Sequence, residues 1–229
     1  MTPLPLLETL RFNMIEQQIR PWDVLDEQVL ALLAQVRREE FVPPEHKALA
    51  FVDMMIPLRG TFDEALQLGQ VMLEPKVEAR LVQDVKLEGH EKVLEIGTGS
   101  GYVAALLAAR AQRVISVEIE PELVRMARNN LHLAGVHNAE VREGDGSRGL
   151  AAEGPFDVIL LSGSVAEVPE ALLQQLKIGG RLAAIVGDEP VMRATFLTRT
   201  GESSFTTAQP WDTVAPRLLH FPAPSRFKF

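Results

Sequence analysis

Val93-Leu94-Glu95-Ile96-Gly97-Thr98-Gly99-Ser100-Gly101-Tyr102 carries a short apolar run into three alternating glycines, after which apolar residues take helical spacing. That order predicts a strand, a tight turn and a helix, the opening unit of a parallel sheet. Glycine suits such a turn because the chain bends sharply and a ligand can reach the backbone with no Cβ between them. The helix start beyond it offers unpaired N–H groups, so the negative end of a ligand is expected near Gly99 to Tyr102. The spacing G-x-G-x-G departs from the G-x-G-x-x-G of a dinucleotide turn. No Gly-Lys-Ser or Gly-Lys-Thr follows at P-loop spacing either, so NAD and nucleoside triphosphates fit poorly.

Outward from the turn, short apolar runs alternate with longer helical ones. Strands are expected over 92–96, 113–118, 139–143, 156–162 and 181–186, and helices near 102–111, 121–134 and 168–176. Pro121 suits a first helical turn and Gly135 the left-handed position after the last. A helix-sized segment near 191–199 is followed by β-like content over 203–210 and 217–221, an expected antiparallel edge. The second strand ends at Glu118, where a carboxylate can accept both hydrogens of a ribose diol. The third ends in Gly144-Asp145-Gly146, where Asp145 can receive an amino hydrogen of adenine while the backbone at Gly146 approaches the ring. Each feature alone could serve packing. Their order along successive strand ends points to a nucleoside lying across them.

Before the sheet, residues 6–36 read as two helices, with Leu25, Val29, Leu32, Leu33 and Val36 on one stripe and Asp26 placed as a cap. Residues 41–75 are punctuated by Pro43, Pro44, Pro57, Gly60, Gly69 and Pro75 and read as a loop-rich lid or connector. Helical spacing resumes at Val77, Leu81, Val82 and Val85. The expected organisation is an N-terminal extension over 1–76 and a ligand-binding domain over 77–229.

Composition narrows the partners. Of 229 residues, 46% are hydrophobic and 24% charged, enough to build a core. Acidic residues outnumber basic ones 31 to 23, and the net charge of -8 would repel nucleic-acid backbones. With no cysteine, disulfides, thiolate zinc sites and a cysteine nucleophile are excluded, and a cytoplasmic location is the expectation. Residues 1–8 lack the pattern of an export signal, and no apolar run approaches the roughly 20 residues of a membrane span. His90, His132, His137 and His220 show no metal-ligand spacing, so no metal is expected. Trp22 and Trp211 read as packing residues.

The turn from Glu95 to Gly101 and the acid Glu118 resemble the motifs of class I S-adenosylmethionine-dependent methyltransferases. A narrower resemblance lies in Met14-Ile15-Glu16-Gln17-Gln18-Ile19-Arg20, Arg38-Glu39-Glu40-Phe41-Val42-Pro43, Val168-Pro169-Glu170-Ala171-Leu172 and Lys177-Ile178-Gly179-Gly180-Arg181-Leu182. These segments, with Gly144-Asp145-Gly146, are similar to the protein-L-isoaspartate O-methyltransferases. The resemblance implies an α/β, Rossmann-like class I methyltransferase fold: a mostly parallel seven-stranded sheet with an antiparallel C-terminal strand, plus the N-terminal helical extension. It implies S-adenosyl-L-methionine as cofactor, held by Glu95, Gly97, Thr98, Gly99, Ser100, Gly101, Glu118, Asp145 and Gly146, and S-adenosyl-L-homocysteine as product. It also implies isoaspartyl-containing proteins as substrate, with neither nucleic acid nor membrane as partner.

The departures lie in the substrate loop. The family usually carries Gly-Gln-Thr-Ile-Ser-x-Pro there, whereas this chain reads Gly69-Gln70-Val71-Met72-Leu73-Glu74-Pro75, with both hydroxyls replaced. Asp53 matches an upstream acid of the family, and the stretch 54–68 is longer than usual. An isoaspartyl carboxylate has a pKa of about 4 and needs no enzyme base. An amine or hydroxyl acceptor would need one, for which Asp53, Glu74 and His46 are the lid's candidates. Three readings stand: isoaspartyl repair, a methyltransferase of the same fold with another acceptor, and a cofactor-binding protein without turnover.

Overall fold

The computed structural model describes residues 6–223. The expectation about an export signal rests partly on residues 1–5, outside that range. Seven strands form one sheet in the order β5-β4-β3-β6-β7-β8-β9. β3 (Lys92–Ile96), β4 (Arg113–Glu118), β5 (Ala139–Glu143), β6 (Phe156–Val165) and β7 (Leu176–Asp188) run parallel. Helices α5 (Tyr102–Ala108), α6 (Pro121–Leu133) and the short α7 (Glu170–Leu173) lie in the crossovers. The register pairs Glu95 with Ser116 and Glu118 with Glu143, so the carboxyl ends of β3, β4 and β5 share one edge. Alternate residues of β3 feed two apolar layers: Val93 joins the core on one face, Leu94 and Ile96 the core on the other.

The segment 191–199 is a strand, β8 (Val191–Arg199), rather than the expected helix. Residues 189–190 are too few to cross back over the sheet, so the chain turns as a hairpin, and β8 pairs antiparallel with β7. Its outer neighbour β9 (Phe205–Thr213) pairs antiparallel with β8. Residues 217–221 do not supply the expected edge strand: they make one parallel bridge, Ser164 to Arg217, at the end of β6.

The N-terminal extension opens with α1 (Leu6–Met14) and α2 (Glu27–Gln35), and the Asp26 side chain caps α2 by accepting from the Gln28 N–H. The lid is more ordered than its prolines and glycines suggest. It holds strand β1 (Ile56–Pro57), helix α3 (Phe62–Leu68) and strand β2 (Val71–Met72), and β1 pairs with β2. A capping box at Thr61 and Glu64 starts α3, and Gly69 ends it at φ 69°. The division expected after residue 76 falls inside α4 (Pro75–Val85).

A buried ion pair fastens this extension. Arg38 and Glu78 are 0% and 3% exposed and hydrogen-bonded to each other, and Arg38 Nη2 donates to the Leu73 carbonyl at 2.8 Å. The guanidinium carbon lies 5.1 Å from the centroid of the Tyr102 ring, at the start of α5. Burial raises the Glu78 pKa to about 7, against the pull of Arg38. A raised folded-state pKa means that Glu78 favours folding at acid pH, a contribution lost as pH rises from its ordinary value through about 7. Arg38→Leu is therefore expected to cost about 3–5 kcal/mol at pH 8.5, where it strands a buried charge, and less at pH 5.5, where Glu78 takes up a proton. The double variant Arg38→Leu/Glu78→Leu should recover most of the loss; urea denaturation of the three proteins at both pH values checks this.

Candidate active site

The glycine turn sits on a buried polar network. Glu95 is 0% exposed, and its carboxyl meets Ser116 Oγ at 2.6 Å and Ser162 Oγ at 2.8 Å. Ser116 Oγ lies 2.5 Å from Thr98 Oγ1 inside the turn. Burial raises the Glu95 pKa to about 8 although both serines favour the charged form, so at neutral pH this carboxyl keeps its proton. Glu95 thus underlies the turn without entering the cleft above it. Gly101, at φ 86°, brings the start of α5 so close to α6 that a Cβ would lie 3.3 Å from the Ala127 backbone.

The turn's amides are largely committed. Gly97 N–H donates to the Val117 carbonyl at 2.9 Å, and Gly101 N–H to the Thr98 carbonyl at 2.9 Å. Gly99 N–H donates to Glu118 Oε2 at 2.9 Å, and Glu120 N–H to Glu118 Oε1 at 3.0 Å. Each Glu118 oxygen keeps a free lone pair, and the carboxylate is locked in orientation at the end of β4. Thr98 and Ser100 are buried on a smaller cavity between the turn and the lid, which Met72 and Leu73 also line.

The cleft across the strand ends is a partly open hollow of about 100 Å³. Gly97, Gly99, Glu118, Asp145 and Gly146 line it, with Gln70 and Val71 on the lid side. Its apolar walls are Ile96, Val117, Ile119, Leu123, Leu218 and Phe221. Gly146 is required on steric grounds: a Cβ there would stand 2.4 Å from Ile96 Cγ2. Asp145 accepts from the Ser147 N–H at 2.9 Å and faces His220 Nδ1 at 2.9 Å. Partial desolvation would raise its pKa, but these partners hold it below the usual carboxylate range.

The remaining expected residues lie apart from this cleft. Asp53 and Glu74 line a separate outer groove, with Asp53 accepting from Lys76 Nζ at 2.6 Å. Burial raises the Glu74 pKa. Pro75 is the first residue of α4, and His46 lies in a 3-10 turn, Pro44–Leu49, away from both cavities. Val71 and Leu73 are 9% and 5% exposed, packed where the family's loop would carry hydroxyls. Trp211 Nε1 donates to Asp84 at 2.8 Å, and the Trp22 ring carries Lys76 Nζ 4.2 Å from its centroid. Among the described residues no group of three or more His, Asp or Glu side chains is placed to hold a metal ion, and no helix is long and apolar enough to cross a membrane.

Sequence reasoning missed the C-terminal strap. Arg217, Leu218, Leu219 and Phe221 close one side of the cleft, held by Ser164 N–H to the Pro216 carbonyl at 2.8 Å and Leu218 N–H to the Ser164 carbonyl at 2.9 Å.

The cleft fits a nucleoside-bearing cofactor by its own chemistry: apolar walls for a ring, a locked carboxylate for a diol and a second carboxylate for an amino group. Comparison with known proteins agrees. The family model for protein-L-isoaspartate(D-aspartate) O-methyltransferase matches residues 10–213. A protein-L-isoaspartate O-methyltransferase of Koribacter versatilis is 40% identical over 189 residues, covering 82% of this chain and 81% of the relative. Protein-L-isoaspartate O-methyltransferase 2 of Marinobacter nauticus is 37% identical over 214 residues, covering 93% and 94%. Among solved structures, a protein-L-isoaspartate O-methyltransferase superposes with TM-score 0.76 at 24% identity, over 93% of this chain and 65% of that one. A Plasmodium falciparum beta-aspartate methyltransferase in complex with S-adenosyl-L-homocysteine gives TM-score 0.71 at 18% identity, over 92% and 97%. The chain belongs to the protein-L-isoaspartate(D-aspartate) O-methyltransferase family, whose members are S-adenosylmethionine-dependent methyltransferases of class I fold.

Proposed function

We propose that this protein methylates the free carboxylate of L-isoaspartyl residues in damaged proteins, a repair reaction, and that it does so in the cytoplasm. The observation that carries the reading is the cleft across the ends of β3, β4 and β5, with Glu118 and Asp145 on its rim, in a chain that matches this family from residue 10 to 213. When bound, S-adenosylmethionine supplies a methyl group activated by its sulfonium for in-line displacement by an acceptor oxygen.

The chain's own residues supply position. Glu118, fixed by the Gly99 and Glu120 amides, accepts the ribose hydroxyls, and Asp145 accepts the adenine amino group between the apolar walls. Thr98 and Ser100 line the smaller cavity beneath the lid, and the glycines, lacking side chains, leave room for the methionine end at the turn. The lid, pinned by Arg38 through Leu73, covers the turn and excludes water. The acceptor carboxylate is ionised at neutral pH, so Asp53 and Glu74 are not needed as bases. The absence of hydroxyls at Val71 and Leu73 is thus compatible with turnover, provided that another group orients the acceptor.

With labelled S-adenosylmethionine, base-labile label should appear on an isoaspartyl peptide and not on its aspartyl twin. Cofactor binding with no label on either twin would exclude this acceptor. In titrations with S-adenosylhomocysteine, Gly99→Asp should abolish binding, because a side chain at φ 55° strains the turn and crowds Leu58. Glu118→Ala should weaken binding by about 1.5–3 kcal/mol, roughly 10- to 150-fold in Kd, through the ribose contacts and the freed Gly99 amide. Glu95→Gln, at pH 7, should leave the Kd within about twofold, since a neutral amide replaces a carboxyl that is already neutral and lies outside the cleft.

A further inference from the structure

The outer groove lies on the far side of the C-terminal strap from the cofactor cleft, and Arg217 lines both. Carboxylates dominate the groove: Asp53, Glu74, Asp188 and Glu189 line it, and Arg217 is the one cation among its lining residues. Asp53 is paired with Lys76, and among the lining residues themselves only Arg217 attracts an anionic acceptor.

The groove also concentrates unmet hydrogen-bonding capacity. Arg217 Nη1, Asp53 Oδ1 and Glu74 Oε2 are all buried with no partner among the described residues, and all three residues line it. Buried polar atoms normally have partners, so a cluster of unpaired ones marks a place where a polar ligand completes the structure. The Arg217 guanidinium is nevertheless held in place. Nη2 donates to the Gly187 carbonyl at 2.9 Å and to Asp188 Oδ1 at 2.6 Å, at the end of β7, while the backbone is fixed to Ser164 of β6. The Arg217 backbone abuts the substrate loop: a Cβ on Gly69 would lie 3.2 Å from the Arg217 carbonyl oxygen. An unpaired, buried donor of an anchored guanidinium thus belongs to a residue that lines both cavities and whose backbone abuts the loop that has lost its hydroxyls.

We propose that Arg217 is the residue that orients the acceptor carboxylate. Nη1 donates to one carboxylate oxygen and leaves the other free to face the cofactor's methyl group, in place of the hydroxyls absent at Val71 and Leu73. The assignment rests on the isoaspartyl reading above. It makes Arg217 a residue of acceptor specificity.

The test compares binding of a fluorescent isoaspartyl peptide with that of its isoasparaginyl twin, in which the free carboxylate is a carboxamide, to the full chain saturated with S-adenosylhomocysteine. The wild type should bind the carboxylate form roughly tenfold or more tightly. Arg217→Gln, saturated with S-adenosylhomocysteine according to its own Kd, should bind the two within about twofold of each other, and in turnover the KM for the peptide should rise far more than kcat falls. Arg217→Lys should keep a reduced preference, because an ammonium carries the charge without the fork. A wild-type preference that persists in Arg217→Gln overturns the role of Arg217 and leaves the acceptor reading standing. A wild type that binds and methylates neither twin overturns the acceptor reading and this proposal together. Should Arg217→Gln lose S-adenosylhomocysteine binding, Arg217→Lys decides: an unchanged preference there overturns the role.

Discussion

Glu95 on β3 holds Ser116 of β4 and Ser162 of β6, so a single buried carboxyl ties together three adjacent strands beneath the cleft. Through Ser116 the same network reaches Thr98 and thereby fixes the glycine turn from below. Burying such a group is costly unless it is neutral and hydrogen-bonded, and both conditions hold: burial keeps the proton on, and the serines satisfy the oxygens. The fixed turn in turn presents the Gly99 amide to Glu118, which locks the carboxylate that faces the cleft. Position of the ligand-facing groups is inherited, step by step, from a residue that does not touch the ligand space.

The lid is fastened by a second buried group of different character. Arg38 joins the extension to α4 through Glu78, to the substrate loop through the Leu73 carbonyl and to α5 through the Tyr102 ring. Arg59 adds outer ion pairs to Glu120 and Glu122 at the start of α6. The loop that covers the turn is therefore braced from both sides of the sheet's edge, which suits a reaction governed by alignment and exclusion of water more than by proton transfer.

The strand ends were legible because their signals are local: alternating glycines, an acid closing an apolar run, an Asp between two glycines. What escaped was set by tertiary context. The segment Val191–Arg199 has no Pro or Gly to distinguish strand from helix, and only the two-residue connection to β7 decides it. The helix Phe62–Leu68 is one turn too short for its periodicity to stand out between Gly60 and Gly69, although Thr61 and Glu64 carried a capping signal. The strap at 217–221 has the apolar content of a strand, and its placement over the cleft follows from contacts with Ser164 and Gly97 that no local pattern encodes. Glu95 and Glu118 both read as ligand-side acids, yet the strand pairing buries one beneath the turn and leaves the other on the cleft.

Strongly shifted carboxyls often mark catalytic acids and bases. Here the two largest upward carboxyl shifts, at Glu78 and Glu95, belong to groups held by Arg38 and by two serines, and their work is structural. That division follows from the chemistry of an already ionised acceptor: it removes the need for a tuned base and moves the whole burden onto placement. In the outer groove the burden falls on charge. Four lining carboxylates against one lining arginine make the position of an anionic acceptor a matter of where it is tolerated, and the strap, anchored between β6 and β7, offers such a place. A loop stripped of hydroxyls and a cation fixed beside it are thus two halves of one arrangement, in which the acceptor is oriented from the strap while the lid supplies only the apolar cover.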